Sequence, residues 1–383
     1  MLRAVDLFAG CGGLSLGFQN AGIDVCAAFE YWDVAANCYE LNFNHPVYRY
    51  DLSDVETTAK TITALNPSLV IGGPPCQDFS HAGKRIEAGR ASLTGAFAET
   101  INAVRPQYFV MENVDRAQKS QAYAYARSVF KKANYGLTEV VLDASLCGVP
   151  QKRKRFFCIG ILNGQDNALA SIIETKLSTR PTTLRDYYGD TLNFEFYYRH
   201  PRNYSRRAIF SIDEPAPTMR GVNRPVPKGY PGHANDACPL TDAVRALTTE
   251  ERALVQTFPK TFKWHGSKTD TEQMIGNAVP VKLAEFVAKA LLEYIGNEQI
   301  VSAAISFEDW LIVSKGYTDR SARDVSSRCK RADKILPCSE KPDAFYLFTL
   351  EQQAEHKNLS VSVRSQIKRA LNLKCEYLNE VGL

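Results

Sequence analysis

The sequence predicts an α/β fold: a mostly parallel sheet covered by helices on both faces, with a loop-rich insertion and a helical C-terminal appendage. Short apolar runs alternate with helical patterns through the first half, as a parallel sheet with crossover helices requires. From Pro181 to Pro239 the chain turns rich in Pro, Tyr, Arg and Asn and poor in long apolar patterns. From about Asn297 onward it reads as a separate helical piece.

Each element has its own reason. Leu2 to Phe8 is an apolar run broken by Asp6, and Gly10, Gly12 and Gly13 follow at once. Leu14, Leu16, Phe18 and Ala21 then repeat at helical spacing, so the segment reads as strand, tight glycine loop, helix. A second strand is expected over Ile23 to Phe29 and a helix over Val34 to Leu41. Further strands are expected over Ser68 to Gly72 and Tyr108 to Met111, and less sharply over Thr138 to Leu142 and Phe156 to Ile161. Helical spacing returns at Thr248 to Val255. After Pro280, Leu283, Phe286, Val287, Ala290, Leu291 and Tyr294 mark one helix face.

Composition bounds what the chain can be. Its 383 residues are 45% hydrophobic and 23% charged, the balance of a globular protein and not of a disordered, collagen-like or coiled chain. At about 150 residues per domain, two or three domains are expected. No apolar stretch approaches the roughly 18 residues of a spanning helix and no signal peptide is visible, so the chain reads as cytoplasmic, without a membrane partner. Ten cysteines contain no Cys-x-x-Cys pair and six His form no cluster with them, which speaks against a metal site and for reduced thiols. The net charge of +4 settles nothing about nucleic acid. The local balance is more telling: Arg199, Arg202, Arg206, Arg207, Arg220, Arg224 and Lys228 stand against only Asp213 and Glu214, with Tyr197, Tyr198 and Tyr204 interleaved.

Four constellations carry candidate chemistry. The loop Asp6-Leu-Phe-Ala-Gly-Cys-Gly-Gly-Leu14, with Glu30 at the tip of the next strand, lets a ligand approach the backbone and offers a carboxylate to ribose hydroxyls. By itself it indicates a nucleoside cofactor or merely a tight turn, because Ser15 stands where a dinucleotide fingerprint wants Gly. In Gly72-Gly-Pro-Pro-Cys-Gln-Asp-Phe-Ser80 two prolines stiffen a loop that sets Cys76 at the carboxyl end of the sheet, where open α/β sheets bind ligands. Such a thiol is either a nucleophile or an inert loop cysteine. Met111-Glu-Asn-Val114 brings a carboxyl to the same edge, although alone it reads better as a satisfied strand end. In Gln151-Lys-Arg-Lys-Arg-Phe-Phe157, alternation points Gln151, Arg153 and Arg155 one way.

In this order and spacing these segments resemble the DNA cytosine-5 methyltransferase family of bacterial restriction-modification type. The loop from Phe8 to Gly13 is similar to its cofactor motif, Pro75-Cys76-Gln77 to its nucleophile motif, Glu112-Asn113-Val114 to its proton-donor motif, and Gln151-x-Arg153-x-Arg155 to its base-clamping motif. Arg245-Ala-Leu-Thr248, running on to Gln256-x-Phe258-Pro259, and Ile275-Gly-Asn-Ala-Val-Pro280 resemble its closing elements. The likeness covers residues 3 to about 295.

The resemblance implies a Rossmann-like, S-adenosylmethionine-dependent catalytic domain over 1–175 plus 270–295, interrupted by a target-recognition domain over 176–269. An appendage over 297–383 has no assigned role. It implies that Cys76 adds to carbon 6 of a flipped-out cytosine, that Glu112 protonates or hydrogen-bonds ring N3, and that Arg153 and Arg155 hold the base oxygen. For the cofactor it implies Phe8 against the adenine, Glu30 on the ribose and Asp51 on the adenine amine. Gly10, Gly12, Gly13, Leu14, Tyr31, Leu52 and Pro74 would line its site, and Asn277, Ala278 and Val279 would close over the methionine part. It further implies a mobile closing loop from Ser80 to Gly95 carrying Lys84, Arg85 and Arg90. Arg199, Arg206, Arg207, Arg220 and Arg224 would meet double-stranded DNA. The expected protein is a monomer that protects host DNA, with a cognate endonuclease acting separately. An RNA methyltransferase on the same fold, and a DNA-binding regulator without turnover, are the alternatives. Ser321 to Ile335 is expected to form one basic helix in the appendage, either against DNA backbone or as a solvated face.

Overall fold

A computed structural model of the chain describes residues 2–75, 92–203, 205–338 and 341–380. The order of elements begins β1 (Arg3–Leu7), α1 (Gly13–Asn20), β2 (Asp24–Phe29), α2 (Asp33–Glu40), β3 (Val47–Tyr48), α3 (Val55–Leu65) and β4 (Leu69–Gly72). It continues with α4 (Leu93–Val104), β5 (Tyr108–Val114), α5 (Gln121–Lys132), β6 (Tyr135–Asp143), β7 (Gln151–Lys152) and β8 (Lys154–Leu162). Seven of these strands form one sheet in the order β3-β2-β1-β4-β5-β8-β6. β1 to β5 pair in parallel, and β8 runs antiparallel to both β5 and β6.

The sheet is buried on both faces, which is why its strands read as apolar runs and not as alternation. One face packs Val5, Val70, Phe109 and Met111 against Phe97 and Ile101 of α4 and Phe130 of α5. The other side gathers Ala28 of the sheet, Ala35 and Tyr39 of α2 and, from far along the chain, Phe258, Met274, Ile275 and Val281.

After α6 (Ala170–Lys176) and α7 (Leu184–Tyr188), the arginine-rich segment forms β9 (Phe196–Tyr198), β10 (Ile209–Ser211), β11 (Ala216–Pro217) and β12 (Arg245–Ala246). β9 lies between β10 and β12, while β11 pairs with β7 of the first half. Tyr197 and Tyr198 are core residues here, packed with Phe210 and Tyr230 respectively, so neither ring is a free surface for a ligand. Tyr204 lies outside the described residues. α8 (Thr249–Val255), α9 (Lys268–Asn277) and α10 (Val281–Ala304) follow. The chain divides into two compact units, Met1–Leu292 and Glu293–Leu383.

The second unit contains α11 (Phe307–Lys315), α12 (Asp319–Ile335), α13 (Ala344–Gln352), α14 (Ala354–Lys357) and α15 (Val361–Glu380). Its core joins Phe307, Trp310, Ala322, Val325 and Tyr377, with a second cluster at Ala332, Leu350, Ile367 and Leu371. The basic helix expected at Ser321 to Ile335 starts two residues earlier, because Thr318 caps it by accepting the Ser321 N–H.

Three sequence expectations need correction. β5 runs on to Val114, since its pairing with β8 continues through Glu112↔Phe157 and Val114↔Arg155; Glu112 is therefore inside a strand. The loop expected to reach Gly95 already gives way to helix at Leu93, where Ser92 caps α4 by accepting the Gly95 N–H at 3.0 Å. The helix after Pro280, with its expected face from Leu283 to Tyr294, continues to Ala304, into the stretch expected to begin the appendage.

Candidate active site

The carboxyl ends of β1, β2, β4 and β5 open onto one cleft of about 500 Å³. The glycine loop forms its floor. Phe8 leaves β1 with φ +60, a left-handed conformation rare for an aromatic residue, which turns the chain into the loop. Gly10, Gly13 and Leu14 line the cleft. A β-carbon at Gly13 would collide with the Val279 carbonyl, so the loop after α9 lies directly on the glycine loop. Gly12 has a different job from the one expected. It is left-handed (φ +96), does not line the cleft, and is bare because a β-carbon would collide with the Phe43 ring.

Glu30 stands at the tip of β2, its Oε2 accepting the Gly10 N–H at 2.7 Å and its Oε1 the Trp32 N–H at 2.8 Å. Burial pushes its carboxyl above the ordinary range, and those N–H donors pull it partly back. A carboxylate has about four lone-pair sites, so acceptor capacity remains for a ligand. Asp51 and Leu52 lie on the cleft wall. Asp51 accepts the Ser53 N–H at 2.9 Å, which holds its carboxyl below the usual range. Tyr31, 70% exposed, and Trp32 stand at the same cleft. Asn277, Ala278 and Val279 complete it from the far end of the chain.

Behind the floor lies a buried chain of hydrogen bonds. Ser15 donates to Asp6 Oδ2 at 2.6 Å, and Tyr39 donates to Ser15 at 2.7 Å. The residue that broke the dinucleotide pattern thus serves Asp6, whose carboxyl burial raises to about 7.

The catalytic end is built on the pairing of β5 with β8. Glu112 faces Phe157 and Arg155 faces Val114, so Glu112 and Arg155 are diagonal neighbours on one sheet face. Glu112 is 7% exposed, and its Oε1 lies 2.7 Å from Arg155 Nε. Burial pushes the Glu112 carboxyl up, and the guanidinium groups of Arg155 and Arg153 offset part of that rise. Gly73 makes room, since a β-carbon there would lie 3.0 Å from Glu112 Oε2. Asn113 donates to the Pro74 carbonyl at 3.1 Å, fixing the backbone just ahead of residue 76. Cys76 itself, with Gln77, Ser80, Lys84, Arg85 and Arg90, lies outside the described residues.

Arg153 does not join Arg155 in the cleft. Its Nη1 donates to the Met219 carbonyl at 3.0 Å, and its Nη2 donates to the carbonyls of Gly276 at 2.9 Å and Ala278 at 3.1 Å. Alternation breaks here because the chain changes partners at this residue: β7 pairs with β11, and β8 pairs with β5 and β6. Gln151 turns with it, donating to Gln256 Oε1 at 2.7 Å and accepting the Met219 N–H at 2.8 Å.

The arginines of the inserted segment divide into two kinds. Arg199 donates to the Thr218 carbonyl at 2.7 Å, Arg220 donates to the His200 carbonyl, and Arg207 pairs with Glu214. Arg206 and Arg224 are exposed, and among the described residues neither has a carboxylate within 4 Å. Arg220 sits close enough to Arg202 and Arg224 for mutual repulsion to lower its pKa alongside burial. Among the described residues no group of three or more His, Cys, Asp or Glu is placed to hold a metal ion, and no helix is long and apolar enough to cross a membrane.

Trp32, Asn113, Gly73, Leu93 and Met274 line the cleft without having been singled out by the sequence. Asn113 was within a motif already noted, and a polar residue next to a strand carboxylate was its signal. Gly73 likewise lay within the glycine-proline segment, while Trp32, Leu93 and Met274 carry no local signal, because their place depends on distant elements meeting.

Residues 2–293 match the family model of the C-5 cytosine-specific DNA methylase. The Type II methyltransferase M.HindV of Haemophilus influenzae is 56% identical over 295 residues, 76% of this chain and 97% of that protein. The Type II methyltransferase M.HgiDI of Herpetosiphon aurantiacus is 51% identical over 300 residues, 78% of this chain and 97% of that protein. Among solved structures, the S. pombe Dnmt2 methyltransferase has the same fold, with a TM-score of 0.59 at 21% identity over 77% of this chain and 99% of that one.

Proposed function

This chain belongs to the C-5 cytosine-specific DNA methylase family and is a cytosine-5 DNA methyltransferase, and from that premise we propose how its residues share the work. The reading rests above all on one observation: the glycine loop, Glu30, Asp51, Gly73 to Pro75, Glu112 to Val114, Arg155 and Asn277 to Val279, far apart in sequence, line a single cleft.

The cofactor in this proposal is S-adenosylmethionine, and the residues present fit it. The cleft volume lies in the range of about 300–1,000 Å³ of small-molecule sites. Glu30 retains acceptor capacity for the two ribose hydroxyls, Phe8 and Tyr31 offer faces for the adenine, and Asp51 accepts from its amine. Backbone at Gly10, Gly13 and Pro74, with Leu14, Leu52 and Asn277 to Val279, encloses the rest. When bound, this cofactor supplies a methyl group on a sulfonium centre.

The chain does the remaining work on a cytosine turned out of the duplex. The Cys76 thiolate forms a bond to carbon 6, and the electron pair displaced from the 5,6 double bond makes carbon 5 nucleophilic. Glu112 donates a proton to ring N3, for which a buried carboxyl with a raised pKa is suited. Arg155 orients Glu112 and reaches the base oxygen. After methylation the carbon 5 proton is lost to a base, the double bond re-forms and the sulfur–carbon bond breaks.

The segment 176–269 is proposed as the target-recognition domain set into a catalytic domain of 1–175 plus 270–295. Arg206 and Arg224, exposed and with no carboxylate within 4 Å among the described residues, meet phosphate or base edges, while Arg199, Arg207 and Arg220 shape the surface around them. M.HindV and M.HgiDI are Type II methyltransferases, which favours a restriction-modification enzyme, here taken to act as a monomer on chromosomal DNA in the cytoplasm beside a separately acting endonuclease.

The test is to incubate the full chain with unmethylated plasmid and S-adenosylmethionine and to map 5-methylcytosine by bisulfite sequencing. Modification at one short motif is expected. Cys76→Ala should lower the rate by about 10⁴-fold or more. Turnover surviving in that variant would end the covalent mechanism.

A further inference from the structure

One buried guanidinium lies between the two halves of the proposed chemistry. Arg153 is 1% exposed, and a cation placed there needs its donors satisfied to persist. Two of its nitrogens meet carbonyls of two different functional segments. Gly276 and Ala278 belong to the loop that lines the cofactor cleft, and Met219 directly precedes Arg220 of the recognition segment.

The rest of the contact is equally close. β11 pairs in register with β7, Ala216 opposite Gln151 and Pro217 opposite Lys152. Thr218 donates to the Lys152 carbonyl at 2.9 Å, and Gln151 accepts the Met219 N–H. Gln256, hydrogen-bonded to Gln151, also donates to the carbonyls of Ile275 and Ala278. Gly276 leaves no space for a β-carbon, because the backbone of Arg220 and Gly221 occupies it. From the other side, buried Arg252 donates to the Arg220 carbonyl and is ion-paired with Glu272 of α9, the helix that ends at Asn277. A displacement of Gly276 to Ala278 therefore cannot leave Met219 to Gly221 where they are, since close-packed backbone has no slack to absorb it.

We propose that Arg153 is a positioning residue that couples the cofactor cleft to the recognition segment, so that filling the cleft fixes Met219 to Gly221 for DNA, and DNA in turn tightens the cleft. The inference rests on the cofactor reading given above. Coupling of this kind is reciprocal in free energy and typically amounts to about 5–150-fold in affinity.

Amide hydrogen exchange of the full chain, with S-adenosylhomocysteine as the probe, separates the possibilities. In the wild type the ligand should slow exchange across 275–281 and also, by about tenfold, across 216–223. In Arg153→Met the first protection should persist and the second should vanish. Arg153→Lys, which keeps charge but cannot fork between both carbonyl groups, should restore less than half of it. Exchange in β1, β4 and β5 should be alike in all three proteins, which a general loss of structure would not give. Protection of 275–281 without 216–223 in the wild type overturns the coupling while leaving the cofactor reading intact, and needs no variant to fold. Protection of both segments in Arg153→Met overturns the role of Arg153. No protection anywhere overturns the cofactor reading and the coupling with it.

Discussion

The cleft and the arginine-rich segment solve opposite problems with charge. In the cleft, Glu30, Glu112 and Arg155 are buried or nearly so, and each carries hydrogen-bond or ion partners within the chain. On the arginine-rich segment, Arg206 and Arg224 face water with no carboxylate within 4 Å among the described residues, and burial together with Arg202 and Arg224 lowers the pKa of Arg220. Chemistry needs groups whose protonation and direction are fixed before substrate arrives, because reorganisation at the moment of reaction is costly. Gripping a polyanion needs the reverse, cations whose ordering is compensated only when phosphate replaces counter-ions. Arg207 shows that the division is not one of residue type. Next to Arg206 in sequence, it belongs structurally to the partnered class, paired with Glu214 and 4.3 Å above the Phe210 ring.

The largest effect that would break this comparison lies at Glu112. Glu112→Gln should lower single-turnover methyl transfer by about 10²–10⁴-fold while leaving S-adenosylhomocysteine affinity within about threefold. Because the protonated carboxyl is the working form and its pKa is raised, the wild-type rate should fall as pH rises through that pKa, and the Gln variant should lose this limb. A pH profile unchanged by the substitution would remove Glu112 from the proton-transfer step.

Next comes Asp6, a charge the fold tolerates only reluctantly. Its folded-state pKa of about 7 lies above the unfolded value of 3.8, so the folded state retains a proton that the unfolded chain loses. Stability from this group is full below about pH 4 and declines up to about pH 7, by roughly 4 kcal/mol at about 1.4 kcal/mol per pKa unit. Asp6→Asn lacks that decline, so urea unfolding should show the variant gaining on the wild type from pH 4 to 7. Parallel curves would mean that Asp6 is not protonated at neutral pH.

The smallest effects sharpen the comparison most directly. Arg206→Ala should leave unfolding unchanged and reduce the salt dependence of DNA binding by about one unit of slope. Arg207→Ala should do the opposite, costing about 1 kcal/mol of stability through its ion pair and ring contact, with the salt slope retained. Equal behaviour of the two would dissolve the distinction between free and partnered arginines.

The frame of the protein was legible because its signals are local. A glycine loop between an apolar run and a helical pattern, and proline after a strand, each act within a few residues. Glu112 was legible differently: by itself it resembled a strand end, and only its company with the other motifs gave it a role. Gly12 and Arg153 escaped for a shared reason. Gly12 is glycine on account of Phe43, and Arg153 points toward Met219 and Ala278, contacts set by tertiary packing. Periodicity assigns faces only while a strand keeps its neighbours, and at Arg153 the neighbours change. The direction of β8 was likewise not encoded in any one segment, since parallel and antiparallel strands buried on both faces read alike.

The pairing of β11 with β7 decides how portable the recognition segment is. Residues 216 to 221 are cut to fit Gln151, Arg153 and Gly276 of this chain, whereas Tyr230, His233 and Asp236 bond to one another and to Ala208 and Ile209 of the same segment. A graft of specificity from a relative should therefore take its seam after Gly221 and before Arg245, keeping the native hinge and exchanging only what lies beyond it. A seam placed before Ala216 would import a hinge shaped for another host.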